Sequence, residues 1–252
     1  AFGEELGYLS GGFNALVEKL KDSIISHGGK IYTSQPISSI NYLESKQSVV
    51  LKKNGKDEFF DAALLTVPSN VASSILKDSI SQDSKYLNTL MGTKYLDAAV
   101  IVFVSDQKIS NYYWHNINDD SEFVVFLSLT NLIGTDSFKG KHVYYIGDYM
   151  TSHSENMHID KEMLMKKWFN QLKLFFPHFD ESLVLEKHLF RFKNAQHIVD
   201  IGYEEKIPSM ITPCKNVFLS NFSQIFPMDR GTNYAIGEGI KASELIASKL
   251  SN

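Results

Sequence analysis

The sequence predicts a mixed α/β protein, of the α+β kind, in which a mainly antiparallel sheet with a few helices is inserted into an α/β frame. Three observations predict this fold. The two ends alternate helical and strand-like segments, the middle contains strands rich in Val, Ile, Phe and Tyr, and turn-rich connections separate those strands. With 252 residues, of which 43% are hydrophobic, the chain can bury a sizeable core in one large domain or two modest ones.

The first part of the chain begins with an amphipathic helix. Apolar residues recur at helical spacing over 13–27, and Gly28-Gly29 follows, where a glycine commonly ends a helix. Strand-like segments come next, and Asn54-Gly55 is a dipeptide typical of a hairpin turn. The last segment contains Asp-Ala-Ala-Leu-Leu-Thr-Val, a nearly continuous apolar run that predicts a strand buried on both faces. The predicted strands cover 30–42, 48–53 and 59–67.

The middle of the chain alternates helices with stronger strands. The first of these helices is expected to be capped by Ser69 or Asn70, because short polar side chains accept hydrogen bonds from the first amides of a helix. The last is expected to end at Pro177, which cannot continue a helix. The predicted helices cover 71–76, 84–91 and 162–176, and the predicted strands cover 97–104, 123–129, 142–148 and 183–192.

The last forty residues hold the most informative pattern. A short apolar strand at 216–220 leads into a loop that contains Gly231, and a helix at 234–250 follows. Glycine lets the backbone pass close to a bound group, and the free amides at a helix start attract an anion or an electron-rich carbonyl group. A strand, a glycine loop and a helix start in series therefore indicate a ligand-binding end of an α/β sheet. The alternative is an ordinary loop before a well-capped terminal helix.

The loop before this helix resembles a motif of a known family. Residues 227–235 read Pro-Met-Asp-Arg-Gly-Thr-Asn-Tyr-Ala, which is similar to the closing FAD-binding motif of flavin amine oxidase and protoporphyrinogen oxidase-like oxidoreductases. The resemblance implies that the helix start lies against the flavin, where the helix dipole stabilises negative charge. Many relatives have an acidic residue where this chain has Asn221, which supplies no carboxylate. The cofactor-binding residues that the resemblance implies here are Asn221, Arg230, Gly231, Thr232, Asn233, Tyr234 and Ala235.

Other segments agree with this resemblance in their order along the chain. Gly11-Gly12 precedes the first helix as in the family, and 66–68 ends a strand with the family's Thr-x-Pro. The segment 36–40 is similar to one whose extended backbone meets the adenine side of FAD, which adds Ile37 to the expected cofactor contacts. The resemblance thus implies a partial FAD-binding, Rossmann-like domain. Its pieces are 1–67 and 211–252, and an inserted substrate-binding domain covers 68–210.

The glycine-rich cradle that opens such FAD-binding folds has no counterpart in this sequence. No Gly-x-Gly-x-x-Gly triplet occurs, and the sequence opens with Ala1-Phe2-Gly3-Glu4, without an initiator Met. We expect the sequence to be a piece of a longer protein that contains this cradle. The alternative is that a separate chain supplies the cradle. We also expect this piece alone to be inactive and to bind FAD weakly or not at all.

Composition and spacing exclude several other classes of site. The net charge is −4 without a block of like charges, so neither a nucleic-acid partner nor a polybasic membrane anchor is expected, and no apolar run is long enough for a transmembrane segment. The one cysteine, Cys214, excludes an internal disulfide and is compatible with the cytoplasmic location that we predict. The spacing of His153 and His158 does not favour a metal site, and none is predicted.

The substrate is a small molecule whose identity the sequence leaves open. The resemblance implies hydride transfer to flavin from an amine, a porphyrinogen, or an unsaturated or sugar-like compound. Two alternatives are a UDP-galactopyranose mutase-like flavoenzyme, which uses flavin as a nucleophile without net oxidation, and a non-catalytic relative acting as a binding subunit. No catalytic residue and no oligomeric state are predicted. Candidate wall residues of the substrate site are Tyr113, Trp114, Thr130, Asn131, Tyr144 and Tyr145.

Overall fold

The computed structural model of the protein describes residues 8–251, so the opening Ala1-Phe2-Gly3-Glu4 lies outside the described residues. The α-helices are α1 (Phe13–Ser26), α2 (Ser69–Leu76), α3 (Ser84–Gly92), α4 (Thr130–Ile133), α5 (Lys161–Phe175) and α6 (Thr232–Leu250). The strands are β1 (Ile37–Leu43), β2 (Ser48–Lys53), β3 (Lys56–Phe60), β4 (Ala63–Leu65), β5 (Tyr95–Ser105), β6 (Trp114–Asn116), β7 (Val125–Ser128), β8 (His142–Met150), β9 (Val184–His197) and β10 (Val217–Leu219).

These strands form three sheets in the described part of the chain. The first is an antiparallel meander in the order β1-β2-β3, and the second is a parallel pair of β4 with β10. The third has five antiparallel strands in the order β6-β7-β8-β5-β9. The mixed α/β fold with a mainly antiparallel middle sheet is therefore confirmed, whereas the domain limits stay a prediction.

The larger core lies between the five-stranded sheet and α5. Residues alternate between the two faces of a strand, and Ala99, Ile101 and Phe103 of β5 all point into this core. Helix α5 presents apolar residues at helical spacing, among them Trp168, which is fully buried. Its first turn is fixed by the Asp160 carboxylate, which accepts hydrogen bonds from two backbone amides at 2.9 and 3.1 Å.

A second core joins the meander, the parallel pair and helices α2 and α3. It contains Ile40 and Val49 from the meander, Leu76 and Leu90 from the two helices, and Leu219 from β10. Each of these side chains is almost fully buried. Segments far apart in the sequence thus meet in one core, and this core fixes the position of the ends of β4 and β10.

The single strand predicted at 59–67 is wrong, because the chain divides it between two sheets. β3 ends at Phe60, the chain bends at Asp61, and β4 then pairs with β10. The side-chain amide of Asn216 donates to the Asp61 carbonyl oxygen at 2.9 Å, and the Ala63 amide donates to the Asn216 carbonyl oxygen at 3.0 Å. The expected burial of both faces is also wrong. Leu64 stays 36% exposed, and its side chain lines an open cavity beside α6.

Most other predicted elements are confirmed, with two corrections. The strand predicted at 30–42 is wrong in its first half, because the sheet pairing of β1 begins only at Ile37. Gly28 adopts a positive φ of 83°, and the amides of Gly28 and Gly29 close the last turn of α1 at 3.0 and 2.9 Å. The expected cap of α2 is wrong, because neither Ser69 nor Asn70 caps it. The N-cap position is Pro68, and no side chain makes a capping bond there.

Helices α1 and α6 pack little against the rest of the described chain. α1 has no buried residue, and Ala242 is the one buried residue of α6. Apolar side chains on both helices stay about half exposed, including Leu20 and Ile240. No helix within residues 8–251 combines the length and the apolar character that a membrane crossing requires.

Candidate functional site

The candidate site lies at the carboxyl ends of the parallel strands β4 and β10. The Ser220 amide donates to the Leu65 carbonyl oxygen at 2.9 Å, so the pairing of the two strands extends to their carboxyl ends. The chain then continues to α2 on one side and towards α6 on the other. Ligands of open α/β sheets bind at the carboxyl ends of the strands, because the loops that follow diverge there.

Asn221 holds the two diverging loops together. Its Nδ2 donates to the Val67 carbonyl oxygen at 2.9 Å and to Ser69 Oγ at 3.3 Å. Its Oδ1 accepts from the amide and the hydroxyl of Ser223 at 3.0 and 2.7 Å. With both ends of the side chain used inside the protein, Asn221 forms part of the rigid floor of the site.

Helix α6 begins beside this floor without a side-chain cap. Gly231 is the N-cap residue in an extended conformation, and its carbonyl oxygen accepts from the Ala235 amide at 2.9 Å. The first turn contains no acidic residue, so the positive end of the helix is not neutralised locally. A Cβ at position 231 would stand 2.6 Å from Oδ1 of the exposed Asn233 side chain, which would have to move aside.

A first cavity, of about 230 Å³, lies between the strand ends and α6. Leu64, Thr66 and Ser220 contribute the strand side, and Ala235 and Gly239 contribute the helix side. Apart from its two chain neighbours and the nearby backbone of α6 itself, no atom of the described chain lies within 4 Å of a Cβ built on Gly239, so this side of the helix is open to the cavity. Ligand pockets are commonly about 300–1,000 Å³. The described residues therefore enclose only part of a large ligand.

A second cavity, of about 390 Å³, adjoins the first through Thr66, Asn221 and Phe222. Its other walls come from β5 and β9 of the five-stranded sheet and from the loop before α6. Arg230 lines this second cavity and not the first, and its guanidinium donates a hydrogen bond to the hydroxyl oxygen of Tyr149. The Arg230 side chain thus connects the α6 loop to β8 of the sheet.

The sheet face opposite α5 carries an exposed row of aromatic side chains. The register pairs Phe190 with Val100 and Phe192 with Ala98, and the same face continues onto Tyr145 and Tyr149 of β8. The rings of Phe190 and Phe192 are stacked with centroids 6.3 Å apart, and both residues are about half exposed. Since Phe192 also lines the second cavity, the aromatic face and that cavity form one continuous surface.

The predicted cofactor residues divide into four groups. Asn221, Gly231 and Ala235 lie together around the first cavity and the start of α6. Thr232, Asn233 and Tyr234 form the exposed first turn of the same helix. Arg230 lies on the second cavity, and Ile37 is separate from all of these. Ile37 lines another cavity, of about 610 Å³, on the meander, together with Lys30, Tyr32 and Lys53.

The expected wall residues are only partly in suitable positions. Tyr144 is fully buried in the main core, where its hydroxyl donates to the Gln107 carbonyl oxygen at 2.9 Å, so it is not a wall residue. Trp114 and Tyr145 lie on the open sheet face. Burial raises the pKa of Tyr145. Thr130 is buried, and Asn131 donates to two backbone carbonyl oxygens. All six candidates lie in the described part of the chain, and none lines either cavity.

Sequence reasoning missed the residues that the fold brings to the second cavity. Phe192, Lys193 and His197 come from the end of β9, and Tyr95 from the start of β5. The alternation along β9 could have placed Phe190 and Phe192 on one face, but no local pattern indicates which face is open. Among the described residues, no group of three His, Cys, Asp or Glu side chains is arranged to hold a metal ion.

Comparisons with known proteins agree with this architecture. The sequence model of the family described as flavin containing amine oxidoreductase matches residues 1–244. A solved structure from Exiguobacterium sp. 255-15, provisionally named a protoporphyrinogen oxidase, aligns with a TM-score of 0.73 at 15% identity, covering 96% of this chain and 51% of that one. No curated protein matches the sequence.

Two further solved structures share the fold at lower similarity. An oxidoreductase from Methanosarcina mazei aligns with a TM-score of 0.64 at 16% identity, covering 84% of this chain and 49% of that one. A reduced UDP-galactopyranose mutase aligns with a TM-score of 0.61 at 13% identity, covering 79% of this chain and 43% of that one. At these identities the likeness shows the fold alone. The chain spans about half the length of the solved structures that it matches.

Proposed function

The chain belongs to the flavin containing amine oxidoreductase family, and from this premise we propose that it forms part of an FAD-dependent oxidoreductase that removes a hydride from a small organic substrate. The observation that carries the proposal is the uncapped start of α6 beside the first cavity. When bound, FAD supplies the hydride acceptor. The residues of this chain position the cofactor and shape the substrate site.

The donor set at the start of α6 fits a flavin. The first-turn amides of Thr232, Asn233 and Tyr234 carry the positive end of a 19-residue helix, and no side chain caps them. Such a helix start favours an electron-rich carbonyl group or a phosphate. Gly239 leaves the helix backbone bare, which lets a flat ring approach closely. We assign the flavin side of the cofactor to this surface, with Gly231 and Ala235 as neighbours and Asn221 as the support of the floor.

The adenine side is assigned to the cavity at Ile37. Its apolar walls include Ile37, Leu51 and Tyr32, and such surfaces suit a flat base. This cavity shares no lining residue with the one at α6. The two surfaces would therefore hold opposite ends of an extended dinucleotide.

The substrate side is assigned to the second cavity and the aromatic sheet face. Removal of a hydride calls for orientation and exclusion of water more than for a strong acid or base. Phe190, Phe192 and Tyr145 offer a broad apolar wall for this purpose. That wall favours net oxidation of a substrate with a largely apolar body over a mutase acting on a nucleotide sugar, because a sugar offers no such apolar body to the aromatic side chains. A non-catalytic binding role is the outcome if flavin does not bind.

The cofactor assignment is tested by titrating the 252-residue chain with FAD while backbone amide signals are recorded by NMR. We expect a Kd weaker than about 1 μM, because the described residues enclose only part of the ligand. The amides of Thr232, Asn233 and Tyr234 should shift. In Gly239→Leu the new side chain starts from a Cβ position that is free of contacts and on the lining of the first cavity, so it should occupy part of that cavity and the Kd should rise at least about tenfold.

Gly237→Leu is the matched control for this titration. Gly237 lies two residues before Gly239 on the same helix. Apart from the same kinds of neighbouring atoms, a Cβ built on it would also meet nothing within 4 Å, but Gly237 does not line the first cavity. Both substitutions raise helix propensity equally, so they differ only in their position. Equal FAD affinity in the two variants would contradict the assigned surface. No amide shift at millimolar FAD would contradict a cofactor role for this chain.

A further inference from the structure

The second cavity contains two cationic side chains without a counter-charge. Arg230 and Lys193 line it, and none of its described lining residues is acidic. Within the described chain, neither side chain has a carboxylate partner at ion-pair distance. The nearby Asp229 uses Oδ1 to accept from the backbone amide of Arg230 at 2.8 Å. A partly enclosed cavity whose lining carries two cations and no carboxylate favours an anionic ligand.

Arg230 is the better placed of the two cations to recognise an anion. Its guanidinium is held by a hydrogen bond to the Tyr149 hydroxyl and by that ring, with the guanidinium carbon 5.5 Å from the ring centroid. A guanidinium has five N–H donors, so most stay free for a ligand. Its fork matches the two oxygens of a carboxylate. Lys193 is exposed at the rim and adds charge without a fixed geometry.

His197 adds an unpaired polar side chain to the same cavity. It is 4% exposed, its ring stacks on Tyr203 with centroids 5.5 Å apart, and neither ring nitrogen has a hydrogen-bond partner within the described chain. Buried polar atoms rarely stay unpaired. Burial, and then the charge of Arg230, lower the pKa of His197, while Asp229 opposes this effect. The imidazole is therefore neutral near pH 7 and carries one N–H that has no acceptor within the described chain.

We propose that the second cavity is an anion subsite that selects substrates with a carboxylate on an aromatic or otherwise apolar body. Arg230 binds the carboxylate, Lys193 adds attraction at the rim, and His197 is the neutral neighbour. The aromatic side chains of Tyr95 and Phe192 contact the apolar body. This proposal rests on the proposed function in so far as the ligand is the substrate of the flavin reaction.

The subsite is tested with benzoate as the probe and without flavin. We expect the 252-residue chain to bind benzoate with a Kd at least about tenfold lower than that for neutral benzamide, and to shift the imidazole signals of His197. Arg230→Gln should weaken benzoate binding about tenfold or more, because a charge-assisted hydrogen bond is lost. Lys193→Gln should weaken it about threefold, because an exposed charge contributes less.

Lys187→Gln is the matched control, since Lys187 lies on the same strand but faces Glu162 and Glu181 on the other side of the sheet. Its benzoate affinity should stay within about twofold of the unchanged chain. Arg230 is surface-accessible, so its variant is expected to fold, and thermal unfolding checks this. Equal affinity for benzoate and benzamide would overturn the proposal. So would tighter binding of inorganic pyrophosphate, because the cations would then serve a phosphate. Because these measurements contain no flavin, either result would overturn the anion subsite without contradicting the FAD assignment, which the FAD titration tests separately.

Discussion

Asp148 on β8 carries a carboxyl group that the fold withdraws from water. Burial raises its pKa to about 6, and the charge of Glu122 adds to this effect, although a backbone hydrogen bond from Tyr149 opposes it. The same group titrates near 4 in an unfolded chain. Between about pH 4 and pH 6 the folded protein therefore binds more protons than the unfolded chain, and stability falls as the pH rises through this window.

Replacing Asp148 by Asn should remove this pH dependence. At pH 7 the variant should be more stable than the unchanged chain by about 1 kcal/mol, after allowance for solvent screening of a half-exposed group, and at pH 4 the two should be equal. Urea unfolding at both pH values measures the difference. Asp119→Asn, in an exposed turn, should change stability by less than about 0.5 kcal/mol at either pH. If Asp148→Asn raised the free energy of unfolding equally at pH 4 and pH 7, the raised pKa of Asp148 would not be the cause.

At the residue scale, the sequence predicted what a local motif encodes and missed what only the fold assembles. Gly231 and Ala235 were named from a motif that resembles the family's and runs through one loop and one helix start, and their role towards a cofactor stays a prediction. His197 could not be named in this way, because its significance depends on Arg230 and Tyr95, which lie on other elements. Tyr144 was misplaced for a related reason. Successive strand residues face opposite sides, and the sequence does not indicate which side α5 covers.

At the element scale, most helices and strands were predictable because each has a clear apolar period. One exception is the supposed single strand at 59–67, whose nearly continuous apolar run hides a change of partner. The bend at Asp61 is fixed by Asn216, which is more than 150 residues away along the chain. No local propensity encodes such a contact, so the division into β3 and β4 could not be predicted.

The two faces of β5 should differ in what a substitution costs. Phe103 is fully buried against Phe169 and Tyr144, with ring centroids 5.1 and 5.0 Å apart, whereas Val102 lies on the open face. Phe103→Ala should lower the free energy of unfolding by about 3–5 kcal/mol, because it removes a ring and leaves a cavity. Val102→Ala should cost less than about 1.5 kcal/mol. Similar losses in chemical denaturation would show that α5 does not define the buried face.

At the scale of the whole molecule, α1 and α6 keep many apolar side chains exposed within the described chain, and the face of β4 beside α6 is partly exposed as well. Phe13, Val17 and Leu20 of α1 are each more than half exposed, as is Ile240 of α6, while Leu64 of β4 is 36% exposed. The periodicity of α1 predicted the helix correctly, because a period reports only that one side is apolar. Whether that side meets a partner depends on which other segments are present. This explains why elements were predicted better than burial.

Substitutions on the exposed side of α1 should therefore cost little stability, although the sequence pattern alone would suggest a core helix. Leu20→Ala removes a side chain that is 52% exposed, and we expect the free energy of unfolding to change by less than about 0.5 kcal/mol. Leu164→Ala on α5 is the matched comparison, since Leu164 is fully buried in the main core. It should cost about 2–5 kcal/mol through lost contacts and a new cavity. Urea unfolding of the two variants measures both values, and a loss above 2 kcal/mol for Leu20→Ala would mean that α1 packs against the protein in solution.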